Sequence, residues 1–331
     1  MTALTRDTVS TSSMAGRVRS LRSLLLSQEA ILALTLLALI ILVGLANPRF
    51  VAPNNMANVF SGEAYIAIAA IGMSMVIISG NIDISVGQAI AVMATVCGTL
   101  ATNGVPVWLS WLIPLAVGAL IGAVNGFFVA YLRMPAIVVT LGMYSILRGG
   151  LIAVTGGTTI YDLPPGFGLA QEKPFGIPST IWIMIILTIG AALWMRYSPT
   201  GRAIYAVGGN REAAIVSGIS ARRTIMTAFI LNGVFAGVAA VLYATQFTSI
   251  QVIIPPSLEL GVITAAVVGG VSILGGTGTV IGSTLAAILL NAIRNSMVFV
   301  DVSAYWIRSV QGFLILVTVL VDVLRRRQLR R

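Results

Sequence analysis

The chain has 331 residues, 57% of them hydrophobic and 9% charged, with a formal net charge of +10. A soluble domain carries about a quarter charged residues, so the composition excludes an ordinary soluble enzyme and points to an integral membrane protein. The chain has no His and a single Cys, Cys97, which excludes His-based metal sites and His acid–base chemistry and leaves no disulfide framework.

Crossing ~30 Å of hydrocarbon takes ~20 mostly apolar residues in a helix. Ten such runs follow one another: 30–46, 63–80, 84–102, 109–131, 136–155, 178–196, 224–246, 258–272, 278–297 and 305–324. They are continuously apolar rather than alternating, which predicts helices and not a barrel. The expected fold class is all-α, a polytopic membrane protein of about ten transmembrane helices.

A basic tail, 1–29, precedes the first run. The small residues of "VGLAN" close that run, but the long tail and an even span count predict an uncleaved anchor rather than a signal peptide. Placing both termini in the cytoplasm puts fifteen of the twenty basic residues inside and leaves Arg49, Arg148, Lys173, Arg294 and Arg308 outside. This is the positive-inside bias of membrane proteins. The membrane domain then covers 30–324 and ends in a basic C-tail, 325–331. Arg clustered at span ends argues against a nucleic-acid partner, which needs a basic face on a soluble fold.

Between the second and third runs stands "GNIDISVG", Gly80 to Gly87, with one carboxylate, Asp83. Two readings stand. In one, Asp83 lines a pathway, with Asn81 and Ser85 beside it. In the other, the stretch is a helix junction: Ser85 and Gln88 have the spacing of a capping box, and Asp83 sits where a helix start favours negative charge. The fourth run, 109–131, holds Gly118, Gly122 and Gly126 four apart, a face for close helix packing.

Asn125, Tyr144, Asn232, Gln246 and Thr264 are polar positions within or at the ends of runs. Each is read either as lining a solute path with a hydroxyl or amide, or as an interhelical hydrogen bond. Arg148 lies twelve residues into the run 136–155, about 18 Å along a helix. It either snorkels to the headgroups or pairs with Glu259 as an outer gate. Arg294 and Asp301 form a similar candidate pair.

Two loops stand out. The outer loop, 156–177, is rich in Gly and Pro. The inner loop, 196–223, is strongly basic. Within it Asn210 caps a short helix, Glu212 sits in the first turn, and Gly218 ends it. Its apolar surface suits either a groove in another protein or the lipid headgroups. "SGNIDISVGQAIAVMATV" and "GGVSILGGTGTVIGSTLAA" are weakly alike, and ten runs invite a five-plus-five inverted-repeat reading. No G-x-x-x-x-G-K-[ST] loop occurs, so the chain has no P-loop for ATP, and no run of intramembrane carboxylates offers ion coupling. If the chain moves a solute uphill, the energy is expected to enter through another subunit.

"EAAIVSG" resembles the E-A-A-x-x-x-G core of bacterial ABC importer permeases, without that signature's Ile and Leu-Pro continuation. "GNIDISVG" resembles the G-I-D-L-S-V-G block of the ribose/xylose-type sugar permeases. "MPAIVVTLGMYSILRG", "TGRAIYAVGGNREAA" and "VVGGVSILGGTGTVIGS" match the same family in the same order. Asn81 and "TGGTTIYDLP" look closer to the branch importing rhamnose or autoinducer-2.

The resemblance implies a non-enzymatic permease subunit in the bacterial inner membrane. It implies a second permease chain, identical or paralogous, two cytosolic ATPase subunits that hold ATP and Mg, and a periplasmic sugar-binding protein. It assigns ATPase coupling to Glu212, Ala213, Ala214 and Gly218. The expected cargo is a monosaccharide or sugar-like signal such as rhamnose, ribose, xylose or autoinducer-2. An ATPase-independent facilitator and a branched-chain amino acid permease are the alternatives.

Overall fold

The computed structural model describes residues 27–252 and 257–300, residue 302, and positions 306, 309, 312, 313, 316, 317 and 320. Residues 1–26 of the basic N-tail, the basic C-tail, the run at 305–324 as a continuous element, Asp301 and Arg308 lie outside the described residues.

Nine helices match the first nine predicted runs. They are α1 (Gln28–Ala46), α3 (Ala64–Ile78), α4 (Val86–Thr102), α5 (Val107–Ala130), α6 (Ala136–Thr155), α7 (Ser179–Tyr197), α10 (Ala221–Thr245), α11 (Leu258–Val268) and α12 (Val280–Phe299). Among the described residues three further α-helices stand in the order: α2 (Pro53–Ser61) before α3, and α8 (Pro199–Gly209) and α9 (Arg211–Val216) in the inner loop. With α2 and α3 taken as one stretch, seven helices among the described residues are long and apolar enough to cross a membrane, and α4 and α11 are shorter apolar helices. α11 ends four residues before the predicted 272. Gly270 adopts φ +96, and the amides of Gly270 and Val271 bond back to Val267 and Ala266, closing the helix.

α3 is the centre. Fourteen of its residues are buried, Tyr65 alone being half-exposed. A helix apolar all round belongs inside a bundle, and α3 packs against α10, α12 and α11. The Gly118–Gly122–Gly126 face of α5 meets α10. A Cβ on Gly118 would overlap the Gly233 carbonyl, and one on Gly122 the Phe229 carbonyl. Small residues there bring two backbones together, as membrane helices allow.

α1 and α6 lie at the margin. Only Leu32 and Leu36 of α1 and only Thr140 of α6 are buried. α1 is strapped to α12 near both ends. Thr279 donates to Glu29 Oε1 at 2.7 Å, and Asn47 Nδ2 donates to the Phe299 carbonyl at 3.2 Å. The outer loop is pinned over the end of α10. Ile160 and Ile250 exchange both backbone hydrogen bonds, and Ala170 N–H donates to Thr245 Oγ1 at 3.2 Å.

Candidate functional site: a buried Asp83 junction and a helix pair in the basic loop

The first centre is the junction between α3 and α4. Gly80, at φ +85, ends α3, with Gly80 N–H bonding to Ile77 O and Asn81 N–H to Val76 O. The chain then runs non-helically to Val86, where α4 begins. Non-helical backbone inside a membrane protein must meet protein or water. Here it meets protein: Asp83 is 3% exposed, Ser85 and Asn125 0%, and Asn232 1%.

These four residues form one network. Asp83 Oδ1 accepts from Ser85 N–H at 2.9 Å and from Ser85 Oγ at 2.6 Å. Asp83 Oδ2 accepts from Asn232 Nδ2 at 2.9 Å. Asn125 Nδ2 donates to Ser85 Oγ at 3.0 Å. A buried carboxylate without a counter-cation is costly unless donors surround it, and three donors do so here. The network ties the start of α4 to α5 through Asn125 and to α10 through Asn232.

The predicted capping box does not form. Ser85 already has helical backbone angles, φ −73 and ψ −11, and its side chain caps no amide. Its hydroxyl is committed to Asp83, because a charged acceptor makes the stronger bond. Asp83 serves as the helix-start carboxylate instead.

The second centre is the inner loop. Asn210 accepts from Ala213 N–H at 3.0 Å and caps α9. Gly218, at φ +83, ends it, with Ile219 N–H bonding to Ala214 O at 2.9 Å. Of the four residues that the resemblance assigns to coupling, Ala214 is buried, whereas Glu212, Ala213 and Gly218 are exposed. The apolar surface is real: Ile215 is 53% exposed and Val216 89%.

The two centres are joined through glycine. A Cβ on Gly208, in α8, would overlap the Ile78 carbonyl at the end of α3. Gly276 N–H donates to that same carbonyl at 2.8 Å. The two glycine-rich turns of weakly similar sequence thus lie side by side, Gly275 against Gly80. Tyr205 Oη donates to the Gly278 carbonyl at 2.9 Å and holds α8 on the same turn.

The remaining candidates fall elsewhere. Asn81 donates to Ser79 and lines an inner cavity of about 680 Å³ that also holds Arg133 and Arg211. Tyr144 and Arg148 lie together on α6, Arg148 Nη1 donating to Tyr144 Oη at 3.1 Å. Arg148 forms no pair with Glu259. Glu259 is buried, with Oε2 seated against Gly87 and unpartnered among the described residues. Packing in the α4–α11 contact has removed the acid from the reach of a cation on the margin.

Among the described residues the one ion pair is Arg294 with Glu63, at the outer ends of α12 and α3. Sequence reasoning missed Glu63 in this role. The signal was two opposite charges at the outer ends of neighbouring runs. Sequence reasoning also missed the Ser74–Ser283 contact of 2.7 Å and the Thr188–Thr284 contact of 3.0 Å, each between hydroxyls. No group of metal-binding side chains occurs among the described residues.

A bundle of apolar helices closed around one satisfied carboxylate, with a short exposed helix in the loop between α7 and α10, is the architecture of a polytopic membrane protein. Residues 55–319 match the family described as branched-chain amino acid transport system / permease component, and the chain belongs to that family. It is 35% identical over 313 residues to the autoinducer 2 import system permease protein of an Enterobacter species, covering 94% of this chain and 91% of that one. It is 33% identical over 321 residues to the ribose import permease protein of Escherichia coli, covering 95% of this chain and 99% of that one. No solved structure matches the chain.

Proposed function

We propose that the chain is the inner-membrane permease subunit of an ATP-driven importer, carrying a monosaccharide or sugar-like signal such as ribose or autoinducer-2. It works beside a second permease, identical or paralogous. Two cytosolic ATPase subunits hold ATP and Mg, and a periplasmic binding protein delivers the cargo.

The observation that carries this reading is α9. A capped six-residue helix that leaves Ile215 and Val216 in the open offers apolar anchors for a groove in another protein. Behind it, Gly208 abuts the Ile78 carbonyl and Gly276 bonds to it. α9 follows α8 after the single residue Asn210, so a push on α9 is passed through α8 to the end of α3 and the turn before α12. Packed elements of this kind shift as rigid bodies between discrete arrangements. Alternating access follows if that shift opens one end of the bundle as it closes the other.

The neutral cargo is favoured over an amino acid by the named relatives and by the state of Asp83, whose carboxylate is already engaged by Ser85 and Asn232. The test is reconstitution. Labelled D-ribose, L-rhamnose and autoinducer-2 are offered to proteoliposomes with and without the ATPase and binding protein. ATP-dependent uptake of one of them is expected only in the full set. Flux through this chain alone, or uptake of leucine in place of the sugars, overturns the proposal.

A further inference from the structure

A chamber of about 580 Å³ lies above the outer end of α10. Tyr65 enters it from the first turn of α3 and Tyr243 from the last turns of α10. Gln246 follows α10 directly, Gln171 comes from the outer loop, and Thr248 and Gln251 come from the segment leaving α10. Its size falls within the range of small-molecule pockets.

The walls are held in place. Tyr65 and Tyr243 meet edge to face, their ring centroids 5.3 Å apart. Gln246 Nε2 donates to the Gly62 carbonyl at 3.0 Å, and Gln171 Nε2 to the Thr245 carbonyl at 3.3 Å. The amide oxygens of both remain open to a ligand. Among the described residues the hydroxyls of Tyr65, Tyr243 and Thr248 and the amide of Gln251 engage no hydrogen-bond partner. Tyrosine offers an apolar ring and a polar tip together.

The described lining residues include no Asp, Glu, Lys or Arg. Such a wall offers no cation to a carboxylate or phosphate and no carboxylate to an ammonium group, so burying either charge there is unfavourable. We infer that this chamber is an outer subsite for a neutral, polyhydroxylated solute, a monosaccharide or a cyclic polyol. The inference rests on the import reading above and adds to it a location and the exclusion of charged solutes.

The test uses Ser249→Cys, at a wall position, in right-side-out vesicles holding the assembled importer. Cys97 is buried and stays silent. An impermeant maleimide is expected to label the new thiol from outside. D-ribose, L-rhamnose or autoinducer-2 is expected to slow that labelling about tenfold at roughly ten times its Kd, by mass action. L-leucine and ribose 5-phosphate are expected to leave it unchanged. Adding Tyr65→Phe and Tyr243→Phe removes hydroxyls but not rings, and raises the half-protecting concentration roughly two- to tenfold per lost bond. Uptake without protection keeps the import reading and overturns the subsite. Protection without uptake keeps the subsite and overturns the import reading. Equal protection by leucine or ribose 5-phosphate overturns the neutral class.

Discussion

Asn232 donates its side-chain amide to Asp83 at 2.9 Å across 149 residues of chain, and both are sealed from solvent. The bond decides the polarity of the junction, because Asp83 Oδ2 can only accept and Asn232 Nδ2 can only donate. Asp83→Asn turns a donor toward a donor. Hydrogen bonds to a charged partner contribute about 1.5–3 kcal/mol, and a stranded buried donor costs about 1–3 kcal/mol. The expected result is a clear loss of thermal stability for the full chain in detergent. The exchanged pair, Asp83→Asn with Asn232→Asp, restores donor to acceptor and recovers part of the loss. A coupling energy of about 0.5–3 kcal/mol in the double-mutant cycle is expected, and strict additivity would show that the two residues do not act as a pair. If Asp83→Asn leaves uptake per folded transporter normal, the carboxylate is structural and takes no part in the path.

The glycine joint yields a second comparison. Gly208 leaves no room for a methyl group beside the Ile78 carbonyl, whereas a Cβ on its neighbour Gly209 would stop 3.9 Å from Gly276 Cα. Gly208→Ala is expected to destabilise the chain by about 1–3 kcal/mol through overpacking. Gly209→Ala is expected to be tolerated, since ordinary surface changes stay within about 0.5 kcal/mol. Melting temperature measures the first effect. ATP-driven uptake per folded transporter measures whether the joint transmits motion, and equal behaviour of the two variants would remove Gly208 from that role.

These comparisons also separate what was legible in the sequence from what was not. The spans were legible because each is a run of apolar residues bounded by Gly, Pro or charge; α6 occupies the predicted 136–155 residue for residue. The stop at Gly218 and the cap at Asn210 were legible because each is a local rule with a few-residue reach. Asp83, Ser85, Asn125 and Asn232 were all singled out as polar positions, yet nothing local joins α5 and α10 to residue 83. Their meeting depends on the Gly118–Gly233 approach, which only tertiary packing supplies. The capping box failed for a local reason: the neighbouring carboxylate outcompeted a backbone amide for the Ser85 hydroxyl. The Arg148–Glu259 pairing failed because it matched charges by side of the membrane and ignored depth in the bundle, where Glu259 is walled in against Gly87.

α9 has six residues, too few to persist as a helix without its caps. Asn210→Ala removes the side-chain acceptor for Ala213 N–H and is expected to cost about 0.5–2 kcal/mol of local helix stability. That loss frays α9 while the bundle stays intact. The expected outcome is reduced co-purification of the ATPase with an unchanged melting temperature. Val216→Asp has the same expected signature for a different reason, since Val216 is 89% exposed and only a docked partner feels the change. A drop in melting temperature with full ATPase capture would place both residues in the fold and not in the docking surface.

Arg294 and Glu63 close the outer ends of α12 and α3 as an ion pair whose side chains are 32% and 11% exposed. Arg294 also has a buried Nε without a partner among the described residues, so its orientation is set by the Glu63 contact rather than by several bonds. Removing one partner of a buried pair leaves an uncompensated charge, and the full cost of about 3–5 kcal/mol for a fully buried pair shrinks with partial exposure. Arg294→Gln is expected to lower stability measurably, by less than that full cost. Glu63→Gln with Arg294→Gln replaces two charges by two amides and is expected to recover most of the loss. Arg148→Gln, on the exposed face of α6 and bonded among the described residues only to Tyr144, is expected to leave melting unchanged. The contrast between the two arginines is the decisive readout. If Arg148→Gln destabilises the chain as much as Arg294→Gln, the charge on α6 is paired within this subunit and the margin assigned to α6 is wrong.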